Sequence, residues 1–143
     1  MCIRDRIDIN VDIRTLPGES TAEVQQHLDE ALGDLSDQVE VEIIMNDPAS
    51  ISQVDNPLWD TIQKAVNQPF PTARLSPQLI VGFTDARVYR NLGSVAYGAG
   101  LFSPDLKASD FMSRFHGHDE RIDVESLSLT TQFWLDVCHD FLG

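Results

Sequence analysis

The chain has 143 residues, enough for one ordinary domain or two small lobes. Its composition, 42% apolar and 23% charged, reads as globular, and 10 basic against 23 acidic residues leave a net charge of −13. That balance weighs against nucleic acid and anionic membrane surfaces as partners, while local arginines still permit an anionic substrate.

The first six residues, Met1-Cys2-Ile3-Arg4-Asp5-Arg6, carry no turn, cap or targeting pattern. They are expected to be a leader foreign to the fold, such as a cloning or assembly junction leaves. Ile7, Ile9, Val11 and Ile13 then alternate with Asp8, Asn10, Asp12 and Arg14, which predicts a half-exposed strand. Pro17-Gly18 breaks it. Ser20 followed by Glu23 is a capping box, and Val24, Leu28, Ala31, Leu32 and Leu35 share a helical face with Gly33 as the stop. Val39, Val41 and Ile43 alternate with Glu40 and Glu42 as a second strand. This strand–helix–strand predicts half of a small α+β sandwich over residues 7–46. Residues 47–55 read as a linker.

Asn56-Pro57 predicts a helix N-cap with proline at its first position, and the helix runs to about Val66 on Leu58, Trp59, Ile62, Ala65 and Val66. Residues 75–81 and 95–98 read as short apolar strands. Between them, Asp85 to Leu92 reads as a short helix ended by Gly93, and residues 99–118 read as loop. Asp123 is expected to cap a last helix whose broad face carries Leu127, Trp134, Val137, Cys138 and Phe141. Helices alternating with apolar strands predict an α/β region over 56–143. No run of 18 apolar residues is present, so no membrane-spanning helix is expected. No apolar signal-peptide core is visible over residues 1–13, which makes the cytoplasm the expected compartment. Cys2 and Cys138 make no disulfide framework, and Cys138 is expected to be a small buried hydrophobe.

Two constellations carry chemistry. His116-Gly117-His118-Asp119-Glu120 concentrates imidazoles and carboxylates, the ligand types of zinc. At sensible geometry it supplies two or three ligands at most, so it holds part of a site. The competing reading is a solvated polar loop. Gly82-Phe83-Thr84-Asp85-Ala86-Arg87, with Arg90 one turn on, sits at a strand-to-helix junction where backbone N–H groups favour an anion. Arg87 adds the prospect of a bidentate grip on a carboxylate. Here the competing reading is a helix cap with exposed arginines. His27 and His139 lack partner spacing and read as structural. Arg14, at the end of the first strand, reads alone as a surface arginine.

Taken in order, these pieces resemble the aminoacylase, glutamate carboxypeptidase and succinyl-diaminopimelate desuccinylase family of co-catalytic zinc metallopeptidases. Asp12-Ile13-Arg14, with Pro17 following, resembles the D-x-R strand of the family's lid or dimerisation domain. Asn56-Pro57-Leu58-Trp59 resembles the re-entry helix into the catalytic domain, and Gly82 to Arg87 the G-x-T-D-x-R turn. His116 to Arg121 resembles the C-terminal H-x-x-[DN]-E motif.

The resemblance implies an α/β fold in which half of an α+β, ferredoxin-like lid precedes the C-terminal part of the catalytic domain. It implies that His116 is a zinc ligand, that Gly82 and Thr84 line the substrate cleft, and that Arg87 and Arg14 recognise a substrate carboxylate. It implies two zinc ions, with cobalt or manganese as substitutes, a peptide or N-acyl amino acid substrate, and a homodimer through the lid. The family's H-x-D ligand pair, its bridging Asp, its Glu-Glu pair with the general base and its further carboxylate ligand precede the lid and find no counterpart here. The chain is therefore expected to be a C-terminal fragment of a zinc-dependent amidohydrolase, inactive alone. The alternatives are a non-catalytic module that binds a small carboxylate, and a complementing subunit of a split hydrolase.

Overall fold

The computed structural model describes residues 7–143. The leader expected at residues 1–6 lies outside the described residues. Five α-helices follow in order: α1 Thr21–Leu32, α2 Pro57–Asn67, α3 Ala86–Asn91, α4 Ala108–Met112 and α5 Val124–Leu142, with a 3-10 turn over Gly33–Gln38.

Helix α1 starts where the capping box places it. The Ser20 hydroxyl accepts from the Glu23 N–H at 3.3 Å, and the Glu23 carboxylate accepts from the Ser20 N–H at 2.7 Å. The bond from the Ser20 backbone N–H, more than any other contact, holds the Glu23 carboxyl below the usual glutamate range. Gly33, at φ 52°, ends the helix in a conformation that a side chain would resist. Yet α1 buries no residue. Its Val24 and Leu28 flank a shallow notch of about 180 Å³ shared with Ile13, Arg14 and His27.

Helices α2 and α5 form the core. Asn56 accepts from the Trp59 N–H at 3.2 Å, and Pro57 occupies the first turn. Asp123 accepts from the Ser126 N–H at 2.7 Å and from its hydroxyl at 2.8 Å. The Ser126 backbone bond is the chief cause of a lowered Asp123 pKa. Ile62, Ala65 and Val66 of α2 meet Phe133 and Val137 of α5, and Leu58, Leu75, Tyr97, Ala99 and Leu101 pack around them. At the far end Asp140 takes hydrogen bonds from Lys64 at 3.1 Å and Thr61 at 3.2 Å. The Lys64 ammonium is the main reason its carboxyl sits below the usual range.

The buried face of α5 differs from the expected one. Ser126, Phe133 and Val137 are buried, with Thr130 half-buried between them, a spacing of four, three and four residues. Leu127, Trp134, Phe141 and Cys138 are exposed, which corrects the expected face and the expected burial of Cys138. Two polar residues sit on the inner face because the neighbouring loop satisfies them. Ser126 accepts from the Ser103 N–H at 2.9 Å, and Thr130 accepts from the Leu101 N–H at 3.0 Å while donating to the Leu101 carbonyl.

No β-strand forms among the described residues, so only the helical half of the expected α/β architecture is present. The strands expected at 7–14, 39–43, 75–81 and 95–98 are irregular chain. Ile9 is 79% exposed and Val81 80% exposed. Alternation creates a face suited to a sheet, but a strand exists only when a neighbour accepts its backbone hydrogen bonds. The stretch expected to be pure loop at 99–118 instead holds the short helix α4.

Candidate functional site

Residues 82–85 lead into α3, a helix of six residues that buries none of them. Asp85 stands at its N-cap position but makes no side-chain cap. Gly93, at φ 86°, receives the end of the helix through its N–H to the Arg90 carbonyl at 2.9 Å.

Neither arginine of α3 simply faces solvent. Arg87 forms an ion pair with Asp47, forty residues earlier, through one terminal nitrogen. Arg90 donates to the Ala96 carbonyl from Nη2 at 2.6 Å, to the Ser52 hydroxyl from Nε at 3.2 Å and to the Ser50 carbonyl from Nη1 at 3.3 Å. Arg90 is thus a structural tie, and the nominal linker of residues 47–55 is fastened along its length to the α3 region.

Arg14 comes from a distant part of the chain and joins the same cluster. Its guanidinium carbon lies 5.4 Å from the centre of the Phe83 ring, and that of Arg87 lies 5.0 Å from it. Cation–ring contacts of this kind are worth about 0.5–1 kcal/mol at exposed sites. Two like charges at one ring repel, and each is offset by its own carboxylate: Arg14 pairs with Asp12 at 2.7 Å and Arg87 with Asp47. A guanidinium has five N–H donors. Each arginine uses one terminal nitrogen on its aspartate, so donors remain for an incoming carboxylate. Gly82 and Thr84 flank Phe83 in sequence, and the Thr84 carbonyl accepts from the Arg87 N–H at 3.3 Å.

His116 occupies a separate place, the loop between α4 and α5. It is exposed and adopts φ 55°, the one non-glycine residue with positive φ among the described residues. Such a conformation is uncommon outside glycine and is found preferentially at functional sites. The loop is held on both sides. Phe111 stacks edge-on with Phe102 at 4.5 Å and with Phe115 at 4.6 Å, and Arg114 pairs with Asp123 at 2.7 Å. His118, Asp119 and Glu120 are exposed, and Asp119 pairs with Arg121 at 3.0 Å. No group of three or more His, Cys, Asp or Glu able to hold a metal ion forms among the described residues. Among the described residues His116 thus stands as a single candidate donor.

Sequence reasoning gave no role to Asp47 or to Phe83, which it named only as part of the turn. Phe83 occupies the variable position of the turn, and Asp47 lies in a stretch whose Asn-Asp-Pro composition signals only a break in regular structure.

Residues 3–140 match the sequence family described as Peptidase family M20/M25/M40. Among curated relatives, the probable carboxypeptidase S-like 2 of Dictyostelium discoideum is 27% identical over 126 residues, covering 87% of this chain and 23% of its own length. The N-fatty-acyl-amino acid synthase/hydrolase PM20D1 of Xenopus tropicalis is 29% identical over 129 residues, covering 89% and 24%. PM20D1.1 of Danio rerio, of the same description, is 30% identical over 122 residues, covering 82% and 23%. The chain thus spans about a quarter of the length of the curated relatives it matches. No solved structure matches it. With a family match that runs through both the Arg14–Phe83–Arg87 cluster and the His116 loop, the chain belongs to Peptidase family M20/M25/M40.

Proposed function

We propose that this chain is the C-terminal portion of a zinc-dependent amidohydrolase and supplies its carboxylate-recognition residues and one metal ligand. The substrate class is peptides or N-acyl amino acids, in keeping with the names of the relatives. The observation that carries the proposal is the meeting of Arg14 and Arg87, 73 positions apart in sequence, at one Phe83 ring. Arginine forks match a carboxylate bidentately, and fixing that end of a substrate orients its amide. Gly82 and Thr84 are assigned to the cleft wall beside them.

His116 is assigned as one zinc donor in a centre whose other ligands and general base come from outside this chain. When bound, the metal would polarise the amide carbonyl and lower the pKa of its water. The chain alone binds and orients, and is expected to be inactive. In this reading residues 7–46 belong to a lid domain that also dimerises, and residues 56–143 to the catalytic domain. The segments that read as strands gain their sheet partners in the complete α/β fold.

The test is an assay of the longer enzyme, read from the source DNA through residues 1–6, on N-acyl amino acids and dipeptides. Arg87→Ala is expected to raise KM about tenfold or more with a smaller change in kcat, because a charged hydrogen-bond partner of the substrate is lost. His116→Ala is expected to lower kcat by about a hundredfold or more through loss of metal. Full activity of His116→Ala would remove the ligand assignment, and an unchanged KM for Arg87→Ala would remove the recognition assignment.

A further inference from the structure

The arginine that the proposed recognition site depends on stands on an element unable to hold itself in place. Helix α3 has six residues and buries none of them. An isolated helix that short is unstable in water. What fixes it is the polar stretch just before α2. Asp47 takes Arg87, Ser50 and Ser52 take Arg90, and the Gln53 carbonyl accepts from the Tyr97 hydroxyl beyond the helix. Ser52 also accepts from the Ala96 N–H at 3.0 Å, so one hydroxyl joins the chain before α2 to the chain after α3.

Within this brace the Asp47–Arg87 pair is distinct. Asp47 is the more buried partner, with 21% of its side chain exposed against 37% for Arg87. It engages only Nη1 of the guanidinium. Nε and Nη2 have no protein acceptor among the described residues. The same guanidinium lies over Phe83, which Arg14 also approaches.

We propose that Asp47 is a positioning residue for carboxylate recognition: it pins one nitrogen of the Arg87 fork against Phe83 and leaves Nε and Nη2 for the substrate carboxylate. The assignment rests on the recognition role proposed above for Arg14 and Arg87. It follows from a physical contrast. A guanidinium on a mobile stem loses side-chain entropy when it binds, whereas one already held at one end loses less. The opposite role is also concrete. Asp47 would then be a competing carboxylate that the substrate must displace.

The two roles predict changes of opposite sign, and the chain itself serves for the measurement. The 143-residue protein, labelled with nitrogen-15, is titrated with N-acetylglycine at fixed ionic strength, and the arginine side-chain N–H signals are followed. N-acetylglycinamide, which lacks the carboxylate, is the neutral control. The Arg14 and Arg87 signals are expected to shift and saturate with the acid and not with the amide. Asp47→Ala is expected to weaken binding about tenfold. Asp47→Asn, which keeps an acceptor oxygen in the same place, is expected to stay within about twofold of the unsubstituted chain. Both variants should keep the unfolding midpoint, since Asp47 lies outside the α2–α5 core. A merely structural role would move that midpoint in Asp47→Ala along with the affinity.

Removing a negative charge beside Arg87 by itself strengthens anion binding, so a loss of affinity runs against the simple charge effect. Equal or tighter binding by Asp47→Ala overturns the proposal, and tighter binding identifies Asp47 as the competitor. No binding by the unsubstituted chain overturns the recognition reading and the positioning role together. If Asp47→Ala loses the α2–α5 unfolding transition, Asp47→Ser, whose acceptor is too short to reach Arg87, carries the same expectation.

Discussion

Residues 7–46 and 57–143 start from equally clear local signals and reach different degrees of burial. Helix α1 has a complete capping box, a glycine stop and an apolar stripe, yet it buries nothing. Helices α2 and α5 have caps of the same kind, and between them they supply all five buried hydrophobic residues among those described. Caps place the ends of a helix and contribute about 1 kcal/mol each. Burial of large apolar side chains contributes more, about 1.5–3 kcal/mol per residue, and it needs a second surface. α2 finds that surface on α5, and α1 finds only the open notch beside Ile13. The second region accordingly carries the cohesion of the chain. The first contributes Arg14 to a cluster whose other members, Asp47, Phe83 and Arg87, lie beyond it.

The contrast is broken most directly by truncating one apolar residue in each region. Phe133, 2% exposed, is expected to cost about 3–5 kcal/mol as Phe133→Ala, most or all of the stability of so small a core. Leu28→Ala on α1 is expected to cost under about 1 kcal/mol, because the side chain is not buried. Urea unfolding followed by circular dichroism measures both, and a comparable loss at Leu28 would refute the contrast. A smaller effect separates the caps. Asn56→Ala is expected to destabilise the α2–α5 unit by about 1 kcal/mol, since that helix is coupled to the core. Ser20→Ala is expected to fray α1 without moving the main unfolding midpoint, as hydrogen exchange at the α1 amides would report.

Acid sharpens the comparison with the smallest effect. Asp123, through the Ser126 N–H and hydroxyl, and Asp140, chiefly through Lys64, have folded pKa values below their ordinary ones. A carboxyl of this kind stabilises the fold above its unfolded pKa, and the contribution is lost as pH falls through the folded value. The α2–α5 unfolding midpoint should therefore be flat above the ordinary aspartate range and decline below it. Glu23 has the same sign through the Ser20 N–H. Its loss should unwind only the start of α1, visible in the Ser20 and Glu23 amide signals of a pH titration.

The positions of α1, α2, α3 and α5 were legible because their signals are local, whereas α4, which has no side-chain cap, was not. Ser20 with Glu23, Asn56 with Pro57, Asp123 with Ser126, and Gly93 all act within a few residues of themselves. The inner face of α5 was not legible from apolar spacing. Ser126 and Thr130 sit on it because Ser103 and Leu101 supply backbone partners, and those contacts span 23 and 29 residues. For the candidate site, the turn at Gly82–Arg87 and the histidine cluster stood out by residue type. The partnership of Arg87 with Asp47, and the tying of Arg90 to Ser50 and Ser52, carried no sequence signal. Arg14 was named through the family resemblance, and its meeting with Phe83 is a fact of folding.

By itself the sequence determined where α1, α2, α3 and α5 lie, that the chain is acidic, and which family it belongs to. These rest on neighbouring residues, on composition and on motif order. The tertiary structure alone decided which helical faces are covered, which arginine is tied down and which keeps free donors. It also decided that segments with strand-like alternation form no strand among the described residues. A side chain's neighbours, and a strand's hydrogen-bond partners, come from distant parts of the chain, and an alternating pattern specifies the face without supplying the partner.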